Sequence, residues 1–150
     1  MINSLLTISV ILLTAVGGIL LPNHHPEIPI GNIPSAKEII LVAKTIHGEA
    51  GICDEMQKAA VAWCICNRVD CADFPNTIEE VVTQPNQFKG YSEEKEPTED
   101  EYRIAEEVLT KWMNGSEDRV LPKRFLFFHS NKKGKNIFTT NHLKGETWKN

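Results

Sequence analysis

The first predicted helix has an apolar face whose residues recur at intervals of three and four. They are Ile39, Val42, Ala43, Ile46 and Ala50. Ser35 stands before this run with Glu38 three residues later, which is the spacing of a capping box and marks the helix start. With successive residues about 100° apart, Glu49 falls at the margin of the apolar face rather than on the solvent side.

A carboxylate in that position needs an explanation, because charged side chains are rarely buried without a partner. Loss of hydration disfavours the charged form, so Glu49 is suited to hold a proton and donate it. The alternative is a boundary residue that reaches water or pairs with Lys44 or Lys58. The helix pattern alone leaves both interpretations open.

A second helix is predicted from Asp54, which is a plausible N-cap. Residues 59–66 are small or apolar on all sides, a pattern typical of a helix enclosed by the rest of its domain. Asn67 and Arg68 end this helix. An arginine there caps carbonyl groups, pairs with an acid or contacts a substrate, and the sequence leaves these roles open.

Two further helices are predicted on either side of an aromatic loop. A short one starts from a cap at Asn76 or Thr77, and a longer one runs from the capping box of Thr98 and Glu101 to a stop at Gly115. The polar face of the longer helix is acidic and expected to be solvated. The loop reads "TQPNQFKGYS", a mixture of polar and aromatic residues that carbohydrate-binding surfaces use.

The last part of the chain contains two aromatic and β-branched runs, "RFLFFHS" and "NIFTT", separated by "NKKGKN". Such runs around a polar, glycine-containing stretch predict a β-hairpin or two short paired strands. The expected fold class is therefore α+β and mainly helical, a single domain with a small antiparallel β-hairpin near the C-terminus.

The beginning of the chain differs from the rest, because Leu5 to Leu21 carries no charge and the first basic residue is Lys37. Its length suits either a short membrane span or the apolar part of a secretory signal, with cleavage after Gly17. We expect residues 1–21 to be a signal peptide or an N-terminal membrane anchor, 22–35 a proline-rich linker, and 36–150 the exported domain.

Length and charge narrow the classes of function. The chain of 150 residues suits one domain, and 16 basic against 20 acidic residues give a formal charge of −4. Basic residues are spread along the chain, which argues against binding to nucleic acid. Contact with a membrane is expected only through the N-terminal segment.

The four cysteines, Cys53, Cys64, Cys66 and Cys71, lack the spacing of a zinc site. We expect small buried hydrophobic residues, and the alternative is one disulfide that involves Cys53 or Cys71. The five histidines form no ligand set with these cysteines at zinc spacing, so no metal is expected.

Several motifs occur in the order of a known family. The segments "IHGEA", "AAVAWCICNRV", "FPNTIEEVVTQPNQF" and the late aromatic runs resemble the SleB-type cell-wall hydrolases, typified by the spore cortex-lytic enzymes. The resemblance covers roughly Ile39 to Trp148. This chain departs from the family pattern at Gly51, where arginine is common, and at Ile52 and Cys53, which replace Gly-Glu.

The resemblance implies a lysozyme-like fold and cleavage of the β-1,4 bond between N-acetylmuramic acid and N-acetylglucosamine in peptidoglycan. The glutamate before alanine carries the family's catalytic acid, and it falls on Glu49. A lytic transglycosylase that forms 1,6-anhydro ends needs only this one carboxylate. Possible second carboxylates lie at helix starts or on polar faces: Asp54, Glu55, Asp73, Glu79 and Glu80. The alternatives are a muramidase that uses water, and a membrane-tethered wall-binding module without catalytic activity.

Four residues are expected to contact the substrate: Gln87, Phe88, Tyr91 and Asn67. The competing interpretation of the loop is that Phe88 only plugs the core. The expected partner is the peptidoglycan glycan strand, in the spore cortex or the vegetative wall, with no cofactor. A protein that activates or inhibits the enzyme is left open, and the expected location is outside the cell.

Overall fold

Four helices and one β-hairpin make up the part of the chain that the computed structural model describes, residues 31–141 and 145–149. The helices are α1 (Ala36–Ala50), α2 (Glu55–Val69), α3 (Ile78–Thr83) and α4 (Glu99–Met113), and the strands are β1 (Phe127–Ser130) and β2 (Asn136–Thr139). The predicted segment at residues 5–21 and most of the linker lie outside the described residues. The domain boundaries therefore stay a prediction.

The helix starts follow the predicted capping signals. In α1, Ser35 Oγ accepts from the N–H of Glu38, whose carboxylate accepts from the N–H of Ser35 in return. The same reciprocal pair forms between Thr98 and Glu101 at the start of α4. Asp54 caps α2. These bonds satisfy backbone donors that a helix end otherwise leaves unpaired, which explains why local sequence fixes these positions.

The hairpin is antiparallel and pairs Phe127 with Thr139 at its open end and Ser130 with Asn136 near its tip. At the tip, the side chain of Asn131 accepts from the N–H groups of Lys133 and Lys135. The predicted mainly helical fold with a small C-terminal hairpin is confirmed. Within the described residues, none of the helices is long and apolar enough to cross a membrane.

The core lies between α1, α2 and α4, with α3 packed against the first two. Every residue from 60 to 68 is buried, so the prediction of an enclosed α2 is confirmed. Cys64 and Cys66 lie in this core as expected, and burial raises the pKa of Cys64 to about 11. All four cysteines are free thiols, so the alternative of a disulfide at Cys53 or Cys71 is not what the structure contains.

Candidate active site

Glu49 lies at the C-terminal end of α1 and is half-buried, at the margin of the apolar face as predicted. Its Oε1 accepts a hydrogen bond from the backbone N–H of Gly90 at 2.6 Å. Within residues 31–141 and 145–149, Oε2 accepts no hydrogen bond. The lysines considered as partners are engaged elsewhere, because Lys44 donates to the carbonyl of Glu93 and Lys58 pairs with Glu101 at 3.0 Å.

The backbone of α1 and the loop after α3 approach each other unusually closely at two glycines. A Cβ atom built on Gly48 would overlap the carbonyl group of Gly90, and one built on Gly90 would overlap the carbonyl group of Gly48. Only residues without a side chain allow this approach. The contact brings the N–H of Gly90 within reach of Glu49, so this pair of glycines positions the carboxylate.

Phe88 anchors this loop in the core instead of facing the solvent. Its side chain is only 6% exposed, and its ring centroid lies 6.0 Å from that of Phe128. This is the competing interpretation, in which Phe88 plugs the core, and it corrects the expectation that the ring faces a sugar. The physical reason is that Phe128, on β1, offers apolar surface that the loop sequence alone does not reveal.

Arg68 lies behind the loop and is 3% exposed. Its Nε donates to the carbonyl of Leu126 at 2.7 Å, and its Nη1 donates to Oε1 of Gln87 at 3.2 Å. The guanidinium also lies over the ring of Phe88 at 4.7 Å. Burial lowers the pKa of Arg68, and the nearby charge of Glu49 is among the effects that oppose this shift. Arg68 therefore connects the loop to the segment before β1 and lies within electrostatic range of Glu49.

A groove of about 480 Å³ opens between the loop and the hairpin. Its lining residues are Arg68, Asn86, Gln87, Phe127, Phe128, His129 and Thr139. The structure places Gln87 in this groove, and its contact with a substrate stays a prediction. It also adds Phe127 and His129, which the sequence indicated only as parts of a strand. An aromatic face with polar side chains around it is suited to bind a sugar ring.

Asn136 fastens the hairpin wall of the groove to the end of α1. Its Nδ2 donates to the carbonyl of Glu49 at 2.8 Å, and its backbone N–H donates to Oε1 of Gln57 at 3.0 Å. Ser130 donates to Oδ1 of Asn136 at 2.9 Å. Asn136 is 3% exposed, so these bonds are shielded from water. These bonds therefore fix the position of the hairpin relative to the end of α1 that carries Glu49.

Asn67 does not contact the groove, which corrects its expected role in substrate binding. It is 1% exposed, and its Nδ2 donates to the carbonyls of Pro122 and Phe125 at 3.0 and 3.1 Å. Its Oδ1 accepts from Arg119 at 3.0 Å. With both ends of the amide engaged, Asn67 holds the segment before β1. Tyr91 is half-buried against the core and is not part of the groove lining.

Glu101 is a buried carboxylate that the capping pattern did not reveal as such. It is 1% exposed and bonds Nδ1 of His47 at 2.8 Å and Nζ of Lys58 at 3.0 Å. Burial raises its pKa, but the hydrogen bonds from Thr98, His47 and Lys58 outweigh burial and lower the pKa overall. His47 precedes Glu49 by two residues and so projects from a different side of α1. This cluster joins three helices away from the groove.

The other carboxylates considered as partners for Glu49 have separate positions and contacts. Asp54 caps α2, and Glu55 pairs with an arginine of α4 at 2.8 Å. Glu79 pairs with a lysine of α1 at 2.6 Å, and Glu80 accepts from the capping threonine of α3. Asp73 is exposed on the α2–α3 connection. None of these five is among the groove-lining residues of the described chain, and neither is Glu49 itself, which adjoins the groove through Gly90 in the loop.

The described ranges contain no group of three or more His, Cys, Asp or Glu side chains that could hold a metal ion. These ranges include Cys53 and Cys71 as well as the buried thiols of α2, whereas His142 lies outside the described residues.

Comparison with known proteins gives one family and two relatives. A family model described as cell wall hydrolase matches residues 54–149, a range that starts five residues after Glu49. Two proteins of Bacillus cereus, both named spore cortex-lytic enzyme, are 36% identical over 75 residues. That alignment covers 48% of this chain and 29% of each relative, so the chain matches less than a third of their length. No solved structure matches the chain.

Proposed function

Because the chain belongs to the cell wall hydrolase family, we propose that it cleaves the β-1,4 bond between N-acetylmuramic acid and N-acetylglucosamine in peptidoglycan. The proposed reaction is that of a lytic transglycosylase. Glu49 is its single acid and base, and the groove between the loop and the hairpin binds the glycan strand.

The observation that carries this proposal is the state of the Glu49 carboxyl group. One oxygen is fixed by the N–H of Gly90 at 2.6 Å, while the described residues leave the other oxygen without a hydrogen bond. A general acid needs a defined orientation and one oxygen available for the substrate. Glu49 combines both beside Gly90, in the loop that also carries Gln87, which lines the groove together with Phe127 and His129.

The proposed reaction consumes no water, because the attacking group is a hydroxyl of the substrate itself. Protonated Glu49 gives its proton to the glycosidic oxygen as the bond from that oxygen to C1 of muramic acid breaks. The resulting carboxylate takes the proton of the C6 hydroxyl of the same sugar, and O6 bonds to C1. The products are a 1,6-anhydro end and a free 4-hydroxyl group, and Glu49 is protonated again.

Arg68 is a positioning residue in this scheme. Its guanidinium lies over the ring of Phe88 at 4.7 Å, in the loop whose Gly90 N–H bonds the carboxyl group of Glu49. Its bond to Gln87 at 3.2 Å also sets the side chain of that residue at the groove. The sequence left the role of Arg68 open. In the structure its bonds reach the loop at Gln87 and the segment before β1 at Leu126.

Replacement of Glu49 by glutamine tests the assignment directly. The amide keeps the size of the side chain but cannot transfer a proton, so turnover of purified peptidoglycan should fall by about 10²- to 10⁴-fold. Glu106→Gln makes the same chemical change on the exposed side of α4 and is the matched control. Wild-type turnover by the Glu49→Gln protein would remove Glu49 from the mechanism.

Mass spectrometry of the released fragments tests the reaction type. Anhydro ends have lost one water relative to reducing ends, so their masses separate the transglycosylase from a muramidase that uses water. A wall-binding module without catalytic activity would release no fragments. A lysozyme-like arrangement, and export directed by residues 5–21, belong to the same proposal. The first draws support from a glutamate at a helix end whose backbone carbonyl is bonded to a β-hairpin.

A further inference from the structure

We infer that the tip of the β-hairpin binds the carboxylates of the peptide stems on the glycan strand that occupies the groove. The surface consists of three lysines, Lys132, Lys133 and Lys135, here called the hairpin lysines. The inference rests on the proposed function for its choice of polymer. It adds a second contact, to the peptide part of the substrate, which no family or relative assigns.

The hairpin lysines are an exception to the spread of basic residues along the chain. They fall within four consecutive positions and are all exposed, in a protein with a formal charge of −4. Several other cations of the chain are paired with carboxylates, as in the pairs of Lys37 with Glu79 and Arg124 with Glu146. In the described part of the chain, no carboxylate or other acceptor is bonded to the ammonium group of a hairpin lysine.

The backbone of the tip is fixed in place, so the three lysine side chains extend from defined positions. Asn131 accepts from the N–H of Lys133 at 2.8 Å and from that of Lys135 at 3.1 Å. Gly134 closes the turn with a φ of 75°, and its carbonyl accepts from the thiol of Cys53 at 3.4 Å. Like charges on neighbouring residues repel one another until an anion binds, and the fixed backbone reduces the entropy cost of that binding.

The position of the tip relative to the groove suits a peptide stem. His129 lines the groove, and Lys132 follows it by three residues along the hairpin. With a rise of about 3.3 Å per residue, the tip lies roughly 10 Å beyond the groove. A peptide stem leaves the lactyl group of muramic acid and spans about this distance in three extended residues. Lys89, exposed on the opposite wall, adds a fourth cation beside the groove.

Binding of two double variants to purified sacculi tests this inference. Lys132→Gln/Lys133→Gln removes two hairpin charges, and Lys123→Gln/Lys149→Gln removes two exposed lysines at the open end of the hairpin as a matched control. The full chains, kept in solution with a mild non-ionic detergent, are sedimented with sacculi at several salt concentrations. All carry Glu49→Gln so that binding is measured without turnover.

We expect the hairpin variant to bind about 3- to 10-fold more weakly than the control, with a smaller dependence on salt. Amidation of the stem carboxylates should weaken the parent protein equally and abolish the difference between the variants. With sacculi stripped of phosphate polymers by hydrofluoric acid, the difference in binding between the two double variants should remain. Loss of the difference on stripping would overturn the inference in favour of a phosphate polymer. Equal binding by the two double variants would also overturn it and leave the lysines a role in solubility.

The proposed function is judged by a different measurement. If protein with Glu49 intact fails to cleave sacculi while binding still depends on the hairpin lysines and stem carboxylates, the reaction is wrong and this inference stands. If cleavage occurs but the two double variants bind alike, the reaction stands and this inference is wrong.

Discussion

Replacing Gly90 with alanine would place a methyl group against the backbone of α1. The added Cβ would overlap the carbonyl group of Gly48 and lie 3.0 Å from the backbone nitrogen of Glu49. Both neighbours are main-chain atoms of a helix, so no side-chain rotation relieves the overlap. The loop must therefore move away from the helix.

The size of this movement follows from ordinary contact distances. Carbon atoms pack best at about 3.5 to 4.0 Å, so the loop must retreat by roughly 1 Å. The 2.6 Å bond between Gly90 and Glu49 would then be broken or severely weakened. Overpacking of this kind costs about 1 to 3 kcal/mol of stability. A displacement of about 1 Å at a reacting group costs on the order of 10²-fold in rate.

The assay is kcat/KM on purified peptidoglycan, corrected for the folded fraction measured by circular dichroism. Gly115→Ala is the matched control, because Gly115 has a φ of 67° and no atom within 4 Å of an added Cβ. Its cost is backbone strain of about 1 to 2 kcal/mol, far from the groove. We expect both variants to lose stability and only Gly90→Ala to lose activity. Equal activity per folded molecule would refute the positioning role of the glycine pair.

Three further outcomes are expected. Glu101→Gln should lower the free energy of unfolding at pH 7 by about 3 kcal/mol, because Lys58 loses its counter-charge and the bond to His47 is weakened. The pKa of Glu101 is lowered in the folded state, so the stability that its carboxylate contributes is complete above the unfolded pKa. This stability disappears as the pH falls through the folded pKa. Denaturation curves of the parent protein and Glu101→Gln should therefore converge in acid. Gln87→Ala should raise KM severalfold and lower the melting temperature slightly, because the buried Arg68 loses an acceptor, and a lower melting temperature with unchanged KM would make Gln87 purely structural. Activity should survive EDTA and the replacements Cys53→Ser and Cys71→Ser, and a loss on chelation that added zinc restores would contradict a single-carboxylate mechanism.

Much of the fold was predictable because its signals are local. The capping boxes at Ser35 and Thr98 act over three residues, and the hairpin follows from two aromatic runs around a turn. The position of Glu49 followed from the 3.6-residue period of α1 alone. In each case the residues that decide the structure are neighbours in the sequence.

The errors and omissions concern contacts between distant parts of the chain. Asn67 was expected at the substrate, but its partners lie 55 and 58 residues further along. Phe88 was expected to face a sugar because the loop sequence does not show that β1 covers it. The approach of Gly48 to Gly90 gave no signal, since neither glycine lies in a recognisable turn motif. A single sequence contains no record of which loop meets which helix.

The bonds of Asn136 also determine when the site can exist. Its two bonds to α1 and α2 join residues that are 87 and 79 positions apart in the chain. Contacts of such long sequence separation form late, because the intervening chain must be ordered first. A ribosome that has made everything up to α4 has therefore produced Glu49 without the hairpin that is bonded to the same end of α1. The proposed site is complete only once the hairpin has been made and docked.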